Sequence, residues 1–165
     1  MDAFEFRSED GAFGASISPK TLTELLESCR DFAPAETGGI LVGRYNDALN
    51  CAVVTDASER PPDSRSGRTW LLRGTAGLQG WLDRLWSSSK RRYYLGEWHF
   101  HPGGAPEPSP TDIEQMGKIA RSPSYKCPEP VLLLVGGAAE ERSDVRVYVF
   151  LSKGGRAAPV ELLAT

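Results

Sequence analysis

The sequence has 165 residues, a length that fits one domain around one core and leaves no room for a second. Nineteen Lys and Arg against 22 Asp and Glu give a net charge of −3, which excludes capture of nucleic acid or of an anionic membrane by bulk charge. An apolar fraction of 40%, with four Trp, five Tyr and six Phe, supplies a core and excludes general disorder.

Seventeen Gly and 12 Pro point to many tight turns and at least one long ordered loop. The three cysteines, Cys29, Cys51 and Cys127, are odd in number and widely spaced, so neither a disulfide framework nor a cysteine metal knuckle is expected. Cys29 and Cys51 read as small buried hydrophobes, and Cys127, in a proline-flanked loop, as the more exposed thiol. No apolar run approaches the ~18 residues of a membrane helix, and Met1 to Arg7 lacks a leader's basic-then-apolar pattern. The expectation is a cytoplasmic protein in a reducing compartment.

In chain order, Phe4 to Arg7 and Phe13 to Ile17 read as short strands. Ser18-Pro19 then offers an N-cap and a first-turn proline for a helix to about Asp31. Leu22, Leu25, Leu26 and Cys29 recur at i, i+3, i+4 and i+7 and give that helix one apolar face. A glycine-interrupted strand follows in Pro34-Ala-Glu36-Thr-Gly-Gly-Ile-Leu-Val-Gly43, where Gly38, Gly39 and Gly43 suit a bulge or close packing. Asn46-Asp47 predicts a turn into the strand Cys51 to Thr55.

The polar stretch Ser58 to Arg68 reads as a long loop, and the arginines of residues 60 to 73 as solvated surface. Thr75 to Ser88 predicts a second helix with a stripe of Leu78, Trp81, Leu82, Leu85 and Trp86, both tryptophans being assigned to the core. Tyr93 to His101 is the next strand, and Ser109-Pro110 repeats the helix-start signal for a third helix to about Arg121. Val131 to Val135 and Val145 to Leu151 are apolar central strands, with Val160 to Leu163 as a last edge strand. The order β-β-α-β-β-α-β-α-β-β predicts an α/β (α+β) fold in one domain over 1–165, a mixed curved sheet flanked by about three helices.

The two histidines of the chain stand at His99 and His101. Residues two apart on a strand share a face at about 6–7 Å, so both imidazoles can converge on one ion while Trp98 and Phe100 face the core. A catalytic zinc takes three protein ligands and keeps one position open. Asp112 fits as the third, because it lies in the first turn of the Ser109-Pro110 helix, where the dipole favours a carboxylate. One catalytic Zn²⁺ held by His99, His101 and Asp112 would supply hydroxide at neutral pH, and a nearby carboxylate would move the proton in amide hydrolysis. Glu97, on the histidines' strand face, and Glu36, in the glycine-rich segment, both qualify as that carboxylate, and spacing alone leaves the two open.

Glu36-Thr-Gly-Gly-Ile-Leu-Val-Gly43, His99-Phe-His101-Pro102 and Ser109-Pro-Thr-Asp112 together resemble the JAMM (MPN) metalloprotease signature. The spacing after the second histidine, Pro then six residues then Ser-x-x-Asp, is met in full. The resemblance implies that Glu36 is the general acid/base, that His99, His101 and Asp112 are the ligands, and that Ser109 stabilises the oxyanion. Glu97 then stands behind the ligands or on plain surface.

The family's reaction is cleavage after the C-terminal glycine of ubiquitin or a ubiquitin-like protein. The extended tail is held as an added strand beside an insertion, which corresponds here to about residues 56 to 70. The wording Tyr94-Leu-Gly-Glu-Trp-His-Phe-His-Pro is most similar to the prokaryotic JAB peptidases, above all the deconjugating ones encoded beside E1-like and E2-like enzymes in anti-phage operons of the CBASS kind. Those conjugating enzymes are the implied partners, with a ubiquitin-like protein or conjugated target as substrate through its C-terminal tail. Two other functions fit the same fold: processing of sulfur-carrier proteins, and a non-catalytic MPN interaction module. The retained ligands speak against the module.

Overall fold

The computed structural model describes residues 2–138, 144–153 and 156–165. Strands β1 (Phe4–Arg7) and β2 (Gly14–Ile17) precede helix α1 (Pro19–Phe32), which Ser18 caps by accepting from the Thr21 N–H at 3.1 Å. Then come β3 (Thr37–Tyr45), β4 (Cys51–Ala57), the two-residue strands β5 (Arg65–Ser66) and β6 (Leu71–Leu72), and α2 (Leu78–Ser87). The chain finishes with β7 (Tyr93–Pro102), α3 (Pro110–Arg121), β8 (Val131–Gly137), β9 (Asp144–Lys153) and β10 (Arg156–Ala164).

The expected mixed sheet with three helices is present, but it is closed rather than simply curved. Eight strands form a barrel in the order β1-β10-β9-β8-β7-β3-β4-β2. The last strand is therefore no edge: β10 pairs with β9 from Arg156 to Leu162 and with β1 through Phe6 opposite Ala164. Its Pro159, which brings no N–H, sits opposite Phe150 inside the ladder. Stretch 58–68 is not a simple loop either, because Arg65 and Ser66 pair with Leu72 and Leu71 in a small hairpin outside the barrel.

One apolar cluster draws on all eight barrel strands. Phe6, Ile17, Leu41, Val54, Trp98, Leu133, Val147 and Leu162 fill the interior together with Leu25 and Cys29 of α1. A second cluster covers the outer face, where Ile40, Val42, Tyr94, Leu132 and Leu134 meet Met116 and Ile119 of α3 and the partly buried stripe of α2. Strand β8 lies parallel to β7 and is buried on both faces, which is why Val131–Val135 reads as an unbroken apolar run.

The α2 stripe packs through Leu78, Trp81, Leu82 and Leu85, whereas Trp86 is half-exposed with the Arg91 guanidinium over its ring. Cys127 is buried with the other two thiols, donating toward the Leu95 carbonyl, so its expected exposure is corrected. Register shifts on β3 fall at Leu41/Val42 and Val42/Gly43, and a Cβ on Gly43 would fall on the Val53 carbonyl. The glycine-rich strand is thus bulged and closely packed, as its composition predicts.

Candidate metal centre

Alternation along β7 sends Trp98 and Phe100 into the barrel and leaves Glu97, His99 and His101 on its outer side. Gly38, one strand away and opposite His99, leaves room for that ring. A Cβ there would stand 2.8 Å from His99 Cδ2 and 2.5 Å from the Trp98 carbonyl oxygen.

The third donor arrives on α3. Ser109 caps this helix by accepting from the Asp112 N–H at 3.1 Å, and the Asp112 carboxylate accepts in return from the Ser109 N–H at 2.8 Å. The Ser109 hydroxyl donates to the same Oδ2 at 2.8 Å. The proline loop ahead of the helix is tied down by the Tyr148 hydroxyl, which donates to the Pro106 carbonyl at 3.1 Å, and by Gly103 and Gly104, which pair with Gly137. Rigid backbone on both sides therefore fixes where the Asp112 carboxylate points.

His99 Nδ1 lies 2.7 Å from Asp112 Oδ1, and His101 Nε2 lies 3.3 Å from Asp112 Oδ2. One donor atom from each of the three residues lies within 4.8 Å of the other two. His101 Nδ1 faces the Ala105 carbonyl at 3.4 Å, which turns Nε2 inward. Burial works against the charge on Asp112, yet the bonds from His101, His99 and the Ser109 backbone hold its carboxyl far below the ordinary range. Burial likewise opposes a charged His99, but the bonds and charges of Asp112 and Glu97 prevail and raise it to about 9.

Two imidazole nitrogens and a carboxylate oxygen are a borderline-hard donor set suited to a divalent transition ion such as zinc. Donors of a tetrahedral site with bonds of ~2.0–2.2 Å stand about 3.3–3.6 Å apart. The donor atoms here, all within 4.8 Å of one another, need only small side-chain adjustments to reach that spacing. The residues present fit such an ion.

Glu36 is half-buried just ahead of β3, and its carboxyl is raised above the usual value, first by burial, with His101, Asp112 and His99 close enough to act on its charge. Its main chain is held from the hairpin segment. The Glu36 N–H donates to the Gly67 carbonyl at 2.8 Å, and its carbonyl accepts from Arg60 Nη1 at 3.1 Å.

Glu97 is not surface. Its side chain is 4% exposed, and its carboxylate accepts Arg73 Nε at 2.6 Å, Arg73 Nη2 at 2.9 Å and the Tyr94 hydroxyl at 2.9 Å. Its Oε2 lies 3.9 Å from His99 Nε2, so it stands behind the ring that faces Asp112. With both oxygens taken up in this way, it is less available than Glu36 to trade protons with a substrate. Arg60 and Arg73, expected in solvent, are both partly buried partners of this site. Nothing in their local pattern signals it, since the Glu36 carbonyl and the Glu97 carboxylate that they bond each lie 24 residues away along the chain.

The Prok-JAB family, described as prokaryotic homologs of the JAB domain, matches residues 18–148, a span that contains every residue of this centre. The chain belongs to this family. It is 42% identical over 132 residues, 80% of this chain and 72% of the relative, to a CD-NTase/cGAS isopeptidase of Enterobacter hormaechei subsp. hoffmannii. It is 33% identical over 125 residues, 74% of this chain and 76% of the relative, to a Sinorhizobium fredii protein named "Probable metalloprotease y4qB". A second CD-NTase/cGAS isopeptidase, from Escherichia coli, is 36% identical over 110 residues, 64% of each chain. A solved structure from Desulfitobacterium hafniense superimposes with a TM-score of 0.61 over 87% of both chains at 18% identity, a likeness of fold alone. The JAB domain and these relatives make the chain a peptidase of the metal-dependent isopeptidase kind.

Proposed function

We propose that the chain is a zinc-dependent isopeptidase that hydrolyses the bond after the C-terminus of a ubiquitin-like modifier or other conjugated protein. The observation that carries the reading is the meeting of His99, His101 and Asp112 donor atoms beside the raised carboxyl of Glu36. The relatives named CD-NTase/cGAS isopeptidase favour a CD-NTase/cGAS conjugate as the substrate. The resemblance of the signature to deconjugating JAB peptidases supports reversal of E1/E2-type conjugation in anti-phage defence as the role. The whole span 1–165 acts as one peptidase domain. No helix among the described residues is long and apolar enough to cross a membrane, and with three free thiols the reading is a cytoplasmic enzyme.

His99, His101 and Asp112 would hold one ion, which when bound supplies an activated water and a Lewis acid for the scissile carbonyl. Glu36 takes the proton from the attacking water on its carboxylate and returns it to the departing amine. Its raised carboxyl brings its proton affinity nearer neutral pH, where both transfers are feasible. Ser109 carries its hydroxyl hydrogen on Asp112 Oδ2 and has only to rotate it to donate to the oxyanion. The short β6 strand offers main-chain partners to an extended tail, with Trp70 and Leu72 exposed beside it to meet the tail's side chains.

The test is hydrolysis of a CD-NTase conjugate, or of a CD-NTase extended at its C-terminus, by the wild type and by Glu36→Gln. A loss of about 10²–10⁴-fold is expected on Glu36→Gln. Chelation should abolish turnover and one equivalent of zinc should restore it. Unchanged turnover by Glu36→Gln refutes the assignment of Glu36.

A further inference from the structure

We propose that Arg60 is a positioning residue for Glu36, a clamp through which the hairpin segment, rather than the barrel, sets where the acid/base carboxyl stands. The inference rests on the reading of Glu36 given above and deepens it.

Barrel pairing of β3 begins at Thr37, opposite Phe100, so the ladder stops one residue short of Glu36. The preceding backbone bonds of this stretch are local turns, Ala33 N–H to the Cys29 carbonyl and Ala35 N–H to the Phe32 carbonyl. Both main-chain polar groups of Glu36 instead reach across to the hairpin segment, its N–H to Gly67 and its carbonyl from Arg60.

Arg60 makes that link with three hydrogen bonds. Nη1 donates to the Glu36 carbonyl at 3.1 Å and to Ser66 Oγ at 2.7 Å, and Nη2 donates to the Ser64 carbonyl at 3.0 Å. The guanidinium carbon stands 4.8 Å from the centre of the Phe32 ring at the end of α1. One planar fork thus joins the end of α1, Glu36 and both sides of the turn leading into β5. A lysine, with a single point of charge, cannot reproduce three directed bonds and a stacked face.

Proton transfer requires hydrogen-bond reach, and a displacement of about 1 Å can cost ~10²-fold in rate. Freeing the Glu36 carbonyl from Arg60 therefore slows the chemical step while leaving the three metal donors untouched. The same link lets a chain docking on β6 be felt at Glu36.

The experiment compares Arg60→Ala and Arg60→Lys in the full chain. Expected are a fall in kcat of roughly 10- to 100-fold for Arg60→Ala and a smaller fall for Arg60→Lys. The visible spectrum of the cobalt-substituted protein should be unchanged, and amide exchange should speed up at least tenfold at Glu36 but not at 39–42. In the Glu36→Gln background, measured in single turnovers, Arg60→Ala should add less than threefold, because both changes act at one proton transfer. Should Arg60→Ala fail to fold, Arg60→Lys is read on the same measures. Multiplying losses in the double variant, or a Glu36 amide as protected as in the wild type, overturns the proposal. Full turnover by Glu36→Gln refutes the acid/base reading instead, and the exchange result, which needs no substrate, then still decides whether Arg60 holds Glu36.

Discussion

Arg73→Ala is the sharpest test of the energetics beneath the metal centre. Arg73 and Glu97 have side chains 14% and 4% exposed and are joined by two charge-assisted bonds of 2.6 and 2.9 Å. Removing the guanidinium leaves a buried carboxylate with Tyr94 and His99 as its remaining partners among the described residues, a loss of about 3–5 kcal/mol for a pair of this kind. For a chain of this size each kcal/mol moves Tm by roughly 2–4 °C, so a drop of about 6–20 °C is expected. The pH dependence has a definite sign. Burial pushes the Glu97 carboxyl up, but His99 and Arg73 outweigh it and the folded value lies below the ordinary 4.5. Its stabilisation is therefore present above 4.5 and lost as pH falls through the folded value. Without Arg73 the carboxyl protonates more readily, so the deficit of the variant is greatest at about pH 7 and shrinks toward about pH 4. Urea melts at both pH values, with calorimetry at the higher one, measure this. Arg73→Met combined with Glu97→Gln should recover most of the loss, since no charge is left stranded. A deficit below about 1 kcal/mol at about pH 7, or one as large at about pH 4, would refute the reasoning.

Two further outcomes follow from the same centre. In the metal-free protein His99 is raised from 6.5 to about 9, so its stabilisation is complete below pH 6.5 and vanishes as pH climbs through 9. Urea midpoints of chelated protein should fall over that interval by up to about 3 kcal/mol in stability, and a flat profile would contradict the His99–Asp112 pairing. Ser109→Ala removes both the cap of α3 and a donor to Asp112, so about 1 kcal/mol of stability and about 10- to 100-fold in zinc affinity should be lost, read by thermal melts and competition with a chromophoric chelator.

What the chain discloses before folding is what repeats over a few residues. The alternation around His99 and His101, the Ser-Pro helix starts at Ser18 and Ser109, and the double burial of Val131–Val135 are all local patterns, and the structure follows them. Arg60 and Arg73 are legible only as charge in a polar stretch, because the carbonyl and the carboxylate that tie them to the site are 24 residues distant. Cys127 is buried for a similar reason, lying beneath Tyr45 and the Leu95 carbonyl in a segment whose prolines suggest exposure. Closure of the sheet is hidden because Pro159 masks the first half of β10, and pairing between Phe6 and Ala164 leaves no mark on either segment alone.

That pairing has a bearing on how the molecule is made. The ring cannot shut until β10 has left the ribosome, since β10 supplies the partners of both β1 and β9. Until then two rows of unmatched amides stay open to solvent and to neighbouring chains, and joining segments so remote along the polymer is slow. Before β10 joins, the open edges of β1 and β9 are thus the places where another chain could pair with this one.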